Sequence, residues 1–345
     1  MVRNLELHEY DPNVELRRQK TTIRTIVIGF LALFLILLSF ADFPEVWLEI
    51  LAWVTFAGFS FTFLLAAIHS IQTKVPTLWD DYDYQGLVKR DFQFTAESTG
   101  REHFAYLYTK EGINIDDGAV HAAIIGLHGW GNHHREMDRY ALPTIQEEGY
   151  LYFTYDAQGQ GLTSGDLNDL DQISEAEDFI EHVKSQPFVD KSRVCVMGMS
   201  MGAAKTAVAA YPDPDVKIVL MYSGPYDFPL TIEKMGLFEK IAHTISKFSL
   251  KHPQKQLEKY SGINYFRPDG VVRTGDDEPT PNSDRVFMAA ALDDPLVHPQ
   301  NTLNAIEKLD LREENYCLYK GGGHTLEGNE WSLAVSSYKF IKERL

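Results

Sequence analysis

Six short apolar-rich runs, most of them followed by a stretch with helical spacing, constrain this chain more than any other feature. The runs are Val120–Leu127, Leu151–Tyr155, Arg193–Gly198, Val216–Met221, Arg285–Ala291 and Tyr316–Tyr319. Helical patterns cover about Arg135 to Glu148, about Ile173 to Ser185, Met201–Ala210, Asn301–Lys308 and Trp331–Arg344. A strand that reads as a continuous apolar run is buried on both faces, and strands of that kind alternating with helices make a parallel sheet covered on both sides. Leu87–Thr95 and Phe104–Thr109 alternate instead, as an opening hairpin does. The rhythm breaks over Tyr226–Asp284. There Ile232, Met235, Phe238, Ile241, Ile245 and Phe248 form a helical stripe, and Ser261–Asp284 is rich in Pro, Gly and Asp and reads as loop.

The N-terminal quarter has a different solvent in view. Thr25 to Ala41 carries no charge, and 17 residues at about 1.5 Å each cover roughly 26 Å, near the lower limit for a bilayer span. After Asp42-Phe43-Pro44-Glu45, Val46 to Ile68 is apolar again, with Glu49 near its start. Lipid forces backbone polar groups to pair internally, so the expectation is a two-helix transmembrane hairpin over 23–69. A cleaved signal peptide fits poorly, because the leader is long and acid-containing and a second full span follows. Arg17, Arg18, Lys20 and Arg24 precede the first span, the hairpin turn has no Lys or Arg, and Lys74 follows the second. The positive-inside rule then puts both ends in the cytoplasm. The expected organisation is a cytoplasmic segment 1–22, the hairpin 23–69, a linker 70–86 and a catalytic domain 87–345. Trp79, Tyr82 and Tyr84 are expected to anchor the exit from the membrane.

The formal net charge is −17. Residues 1–80 hold six Lys and Arg against eight Asp and Glu, so nearly all of that charge belongs to residues 81–345. Such a domain does not suit nucleic acid, whose grip needs Lys and Arg on phosphates. Cys195 and Cys317 fall in two of the apolar runs and read as buried free thiols.

The chemistry centres on Gly198-Met199-Ser200-Met201-Gly202, which lies where an apolar run meets a small-residue helix. A strained strand-to-helix turn needs small residues two before and two after the serine, and it lifts the hydroxyl clear of the sheet. A serine hydroxyl needs a base. His324 fits, in the flexible turn Lys320-Gly321-Gly322-Gly323-His324 after a late strand. The histidine needs an acid to fix its tautomer. Arg285–Leu292 ends in Asp293-Asp294-Pro295; Asp294 is preferred and Asp293 is the alternative. The developing oxyanion needs backbone amides. One is that of Met201, and the other is expected from Trp130 in His128-Gly129-Trp130-Gly131-Asn132. His133 and His134 invite a metal reading, but neighbouring histidines point apart and no carboxylate pattern accompanies them. No metal and no cofactor are expected.

These motifs together resemble the α/β-hydrolase superfamily over about residues 88–345: HGWG, YDAQGQGLTSG, GMSMG, LDDPLV and GGGH, in that order. The resemblance implies an eight-stranded, mostly parallel sheet flanked by helices, with a cap inserted at about 226–284. The superfamily usually has Arg where this chain has Gln158, in a segment that is structural in most relatives. The hairpin resembles that of membrane-anchored lipases and esterases. The expected function is a membrane-anchored serine hydrolase that forms an acyl-enzyme on Ser200. A lipid-derived acyl ester is the favoured substrate, with membrane lipids as partners. A peptidase or amidase uses the same triad and stands as the alternative, with a non-catalytic membrane scaffold as the third reading. Residues 226–260 hold Lys234, Lys240, Lys247, Lys251, Lys255 and Lys259 against four acids. That face of the cap is expected to meet anionic lipid.

Overall fold

The computed structural model describes residues 84–167, 169–235 and 253–345. The hairpin expected over 23–69 lies outside the described residues, as do the segment 1–22, most of the linker, and cap residues 236–252. Among the described residues no helix is long and apolar enough to cross a membrane.

Eight strands form one sheet: β1 (Leu87–Thr95), β2 (Glu102–Lys110), β3 (His121–Leu127), β4 (Leu151–Tyr155), β5 (Val189–Met199), β6 (Val216–Tyr222), β7 (Val286–Ala291) and β8 (Tyr316–Tyr319). Their spatial order is β1-β2-β4-β3-β5-β6-β7-β8. β1 and β2 form the expected hairpin, pairing Leu87 with Lys110 through Thr95 with Glu102. β2 lies antiparallel to β4, and every later pairing is parallel. The connecting helices are α1 (Asp138–Glu148), α2 (Asp171–Lys184), α3 (Met201–Lys205), α4 (Phe228–Lys234), α5 (Gln254–Lys259), α6 (Gln300–Lys308) and α7 (Glu330–Arg344).

The central strands are buried along nearly their whole length, β4 and β7 at every residue. That is why they read as unbroken apolar runs rather than as alternation. The edge behaves differently. All four residues of β8 are half-buried, so Cys317 is a partly exposed thiol and only Cys195 is buried. The expectation of two buried thiols fails there because an edge strand has a neighbour on one side only.

Three local departures have visible causes. After α3 the helix widens into a π-turn over Thr206–Ala210. Thr206 Oγ1 bonds back to the Gly202 carbonyl at 2.9 Å, and Tyr211 N–H donates to the Thr206 carbonyl, the kind of back-bonding that perturbs a regular helix. The segment read as loop after Ser261 contains a 3-10 turn at Gly262–Asn264 and a two-residue ladder pairing Val271 with Thr280 and Val272 with Pro279. Tyr84, expected at a membrane exit, is tied to the domain. Its hydroxyl donates to Asp138 Oδ2 at 2.8 Å, and its ring stacks on Tyr108. A tyrosine with a buried carboxylate in reach satisfies ring and hydroxyl together.

Candidate active site

The turns that follow β3, β5, β7 and β8 all open at the carboxyl edge of the sheet, where open α/β sheets place their sites. Ser200 caps α3 with φ 55° and ψ −120°, a region that costs a non-glycine residue about 1–3 kcal/mol. Neighbours hold it there. Ser200 N–H donates to the Tyr222 carbonyl on β6 at 2.8 Å. A Cβ on Gly198 would strike the Gly202 backbone, and one on Gly202 would strike the Leu127 carbonyl. The two glycines let β3 and α3 approach closely enough to support the turn.

His324 arrives from the glycine turn after β8, with Gly322 and Gly323 at positive φ. Its Nε2 lies 2.7 Å from Ser200 Oγ, and its Nδ1 lies 2.8 Å from Asp294 Oδ2. A carboxylate only accepts, so Nδ1 carries the proton and Nε2 presents its lone pair to the serine hydroxyl. Asp294 is 6% exposed, and its other oxygen accepts the Leu296 and Val297 amides at 2.9 and 3.0 Å. Asp293 points elsewhere, accepting Gly323 N–H at 2.9 Å. The structure therefore brings Ser200, His324 and Asp294 into one hydrogen-bonded line, with Asp293 outside it.

The β3 turn lies against the serine: a Cβ on Gly129 would sit 3.0 Å from Ser200 Cβ. Met201 is the first residue of α3, where an amide has no intrahelical partner. Those two placements frame the space beside Ser200 Oγ.

Four side chains to which the sequence motifs assign no role support this turn. The buried His128 accepts Ala157 N–H on Nε2 at 2.9 Å, so its Nδ1–H donates to the Gly129 carbonyl at 2.8 Å. Burial, with the Lys205 ammonium nearby, pushes its pKa down to about 3, so the ring is neutral. Glu136, 5% exposed, accepts Gly129 N–H on Oε2 and Asn132 Nδ2 on Oε1, the latter at 2.6 Å. Burial pushes its carboxyl up. Gln160 Oε1 accepts Gly131 N–H at 2.6 Å. Lys205 is fully buried, 3.5 Å from the His128 carbonyl. Asn132 lies just ahead of the 3-10 turn His134–Met137 that carries Glu136.

His134 is a core residue. Its backbone N–H and Nδ1 both face Asp156 Oδ1 at 2.9 Å, and its ring stacks on Tyr106. Asp156 Oδ2 accepts Tyr106 O–H and Leu162 N–H. Burial opposes the charge on Asp156, but the bonds from His134 outweigh it and hold the carboxyl well below the usual range. Burial and the Lys89 ammonium keep His134 itself neutral. Among the described residues no group of three or more His, Cys, Asp or Glu is arranged to hold a metal.

The family described as Serine aminopeptidase, S33 matches residues 118–273. Thiohydrolase apmlB of Arthrinium phaeospermum is 33% identical over 96 residues, covering 27% of this chain and 31% of that protein, so this chain spans about a third of that relative's length. Among solved structures, the acetyl xylan esterase from Paenibacillus sp. R4 has 20% identity and a TM-score of 0.56. That match covers 77% of this chain and 86% of the esterase. A puromycin-hydrolyzing peptidase of Mycobacterium tuberculosis has 16% identity and a TM-score of 0.56, covering 74% of this chain and 39% of the peptidase. At these identities the structural likeness speaks for the fold.

Proposed function

We propose that this chain is a serine hydrolase of the α/β-hydrolase superfamily and that it cleaves carboxylic esters through an acyl-enzyme on Ser200, with a lipid-derived acyl group as substrate. The observation that carries this reading is the line Ser200–His324–Asp294, closed at 2.7 and 2.8 Å on a strained turn. Ser200 Oγ attacks the acyl carbon as His324 Nε2 takes its proton. The carbonyl oxygen becomes an oxyanion and draws on the amides of Trp130 and Met201. Collapse breaks the bond to the alcohol, which leaves with the proton from His324. Water, activated by the same imidazole, then releases the acid and restores the serine.

Apolar surroundings support an acyl substrate. Met201, beside the nucleophile, packs in a cluster with Leu170, Ile173, Phe228, Leu257 and Tyr260, which joins α3 to cap helices α4 and α5. A membrane setting follows from the sequence alone. The reading is a two-span hairpin with both ends cytoplasmic, resting on the Lys and Arg before Thr25 and after Ile68 and on none between the spans. The lysines of the cap would then face anionic lipid.

The match to a serine aminopeptidase family favours a second reading, hydrolysis of an amide. A panel of p-nitrophenyl esters of rising chain length against aminoacyl and prolyl p-nitroanilides separates the two. The ester reading expects turnover of the esters at the higher kcat/KM, and faster anilide turnover overturns it. Fluorophosphonate labelling of the wild type but not of Ser200→Ala checks the nucleophile. Protease protection of a C-terminal tag in sealed vesicles checks the orientation.

A further inference from the structure

Three polar groups flanking the Trp130 amide are committed. The Gly129 carbonyl takes the His128 Nδ1–H at 2.8 Å. The Gly129 N–H goes to Glu136, whose other oxygen holds Asn132. The Gly131 N–H goes to Gln160 Oε1 at 2.6 Å. Among the described residues the Trp130 N–H has no partner. A planar trans peptide points its C=O and N–H in opposite directions. Fixing the Gly129 carbonyl toward His128 therefore fixes the Trp130 N–H toward the other side.

Two of the groups doing the fixing are expensive to keep where they are. Glu136 and Gln160 are each 5% exposed, and burying a carboxylate or an amide costs free energy that only its hydrogen bonds offset. Glu136 also lies next to the reacting centre. A Cβ on Gly129 would sit 3.2 Å from Glu136 Oε2 and 3.0 Å from Ser200 Cβ.

We propose that Glu136 and Gln160 are positioning residues that clamp the Gly129–Gly131 turn from two sides, so that the Trp130 amide is aligned before any oxyanion forms. This rests on the reading of Ser200 as nucleophile. Neither side chain touches substrate. Glu136 acts through the Gly129 peptide and Gln160 through the Gly131 peptide. An amide held in advance costs no reorganisation when charge develops, which is where oxyanion stabilisation gets its strength.

The test uses the full-length protein, with p-nitrophenyl butyrate as substrate and an alkyl trifluoromethyl ketone as the probe. The ketone adds to the serine to give a tetrahedral oxyanion. Glu136→Ala should lower kcat by about 10- to 100-fold, somewhat less than deleting an oxyanion donor outright, with KM within about twofold. Its inhibition constant for the ketone should rise by the same factor as kcat/KM falls. Glu136→Gln keeps an acceptor for the Gly129 amide and should recover most of the loss. Gln160→Ala should show the same pattern at smaller size, and it keeps the clamp testable if Glu136→Ala does not fold. A reactive wild type whose Glu136→Gln, Glu136→Ala and Gln160→Ala forms bind the ketone unchanged overturns the clamp alone. Activity lost together with substrate affinity, with ketone binding reduced no more than KM is raised, overturns it as well. A wild type that never reacts with the ketone overturns the hydrolase reading, and the clamp with it.

Discussion

Asp293 and Asp294 are chain neighbours with separate tasks: Asp294 Oδ2 meets His324 Nδ1 at 2.8 Å, while Asp293 Oδ1 accepts the Gly323 amide at 2.9 Å. One fixes the imidazole and the other fixes the turn that carries it. Asp294→Asn should therefore lower kcat by about 10⁴, the cost of the wrong tautomer. Asp293→Ala removes two exposed, net-modest hydrogen bonds, from Gly323 N–H at 2.9 Å and Gly322 N–H at 3.4 Å, and should cost about tenfold or less. Steady-state kinetics on a soluble ester decides. Equal losses would mean that the two acids are not divided in this way.

Gly202 tests the turn itself. A methyl group there meets the Leu127 carbonyl, which belongs to the sheet and has nowhere to move. Gly202→Ala should lose about 3 kcal/mol or fail to fold. Gly112 has φ 87° with nothing near its would-be Cβ, so Gly112→Ala should cost only about 1–2 kcal/mol. Urea unfolding of both variants checks the ordering.

Asp156 anchors the loop after β4 to the turn after β3. Asp156→Asn should destabilise the domain at pH 7 by roughly 3 kcal/mol, as breaking a buried charged network does. The native carboxyl lies below its unfolded value of 3.8. The stability it contributes is thus present above that pH and is lost as pH falls through the native value. The gap between wild type and variant should close on acidification below about pH 4. A gap of constant size in denaturant titrations from pH 7 to pH 3 would count against an ionised Asp156.

Lys205 works in the opposite sense. Burial pushes its pKa down from 10.5 to about 7, so the unfolded chain binds the extra proton between those values. The cost of the buried charge is full below pH 7 and is relieved as pH rises toward 10.5. Lys205→Met should raise stability at pH 6 by on the order of a few kcal/mol. The advantage should fade by about pH 10. Thermal melts of the pair at pH 6, 8 and 10 check it. A methionine variant that is less stable at pH 6 would show that the ammonium is needed where it lies.

The strand–helix alternation, the opening hairpin and the chain order Ser200, Asp294, His324 belong to the amino-acid pattern. These are legible because strands buried on both faces leave unbroken apolar runs, and because a strained turn admits only small residues at Gly198 and Gly202. It also put two apolar stretches ahead of the domain, whose bilayer reading rests on composition alone. What depends on distances between segments emerges only on folding. Two identical residue types stand at 293 and 294, and only the approach of the β8 turn separates them. Cys317 looks as buried as Cys195 until the sheet is seen to end at β8. The bond from the Tyr84 hydroxyl to Asp138 joins residues 54 apart. Glu136 and Gln160 lie 7 and 29 residues from the amides they hold, in turns with no period to read. Periodicity reports which face of an element is dry. It carries no record of which loops meet at the edge of a sheet, and at that edge the environment of Ser200 is assembled.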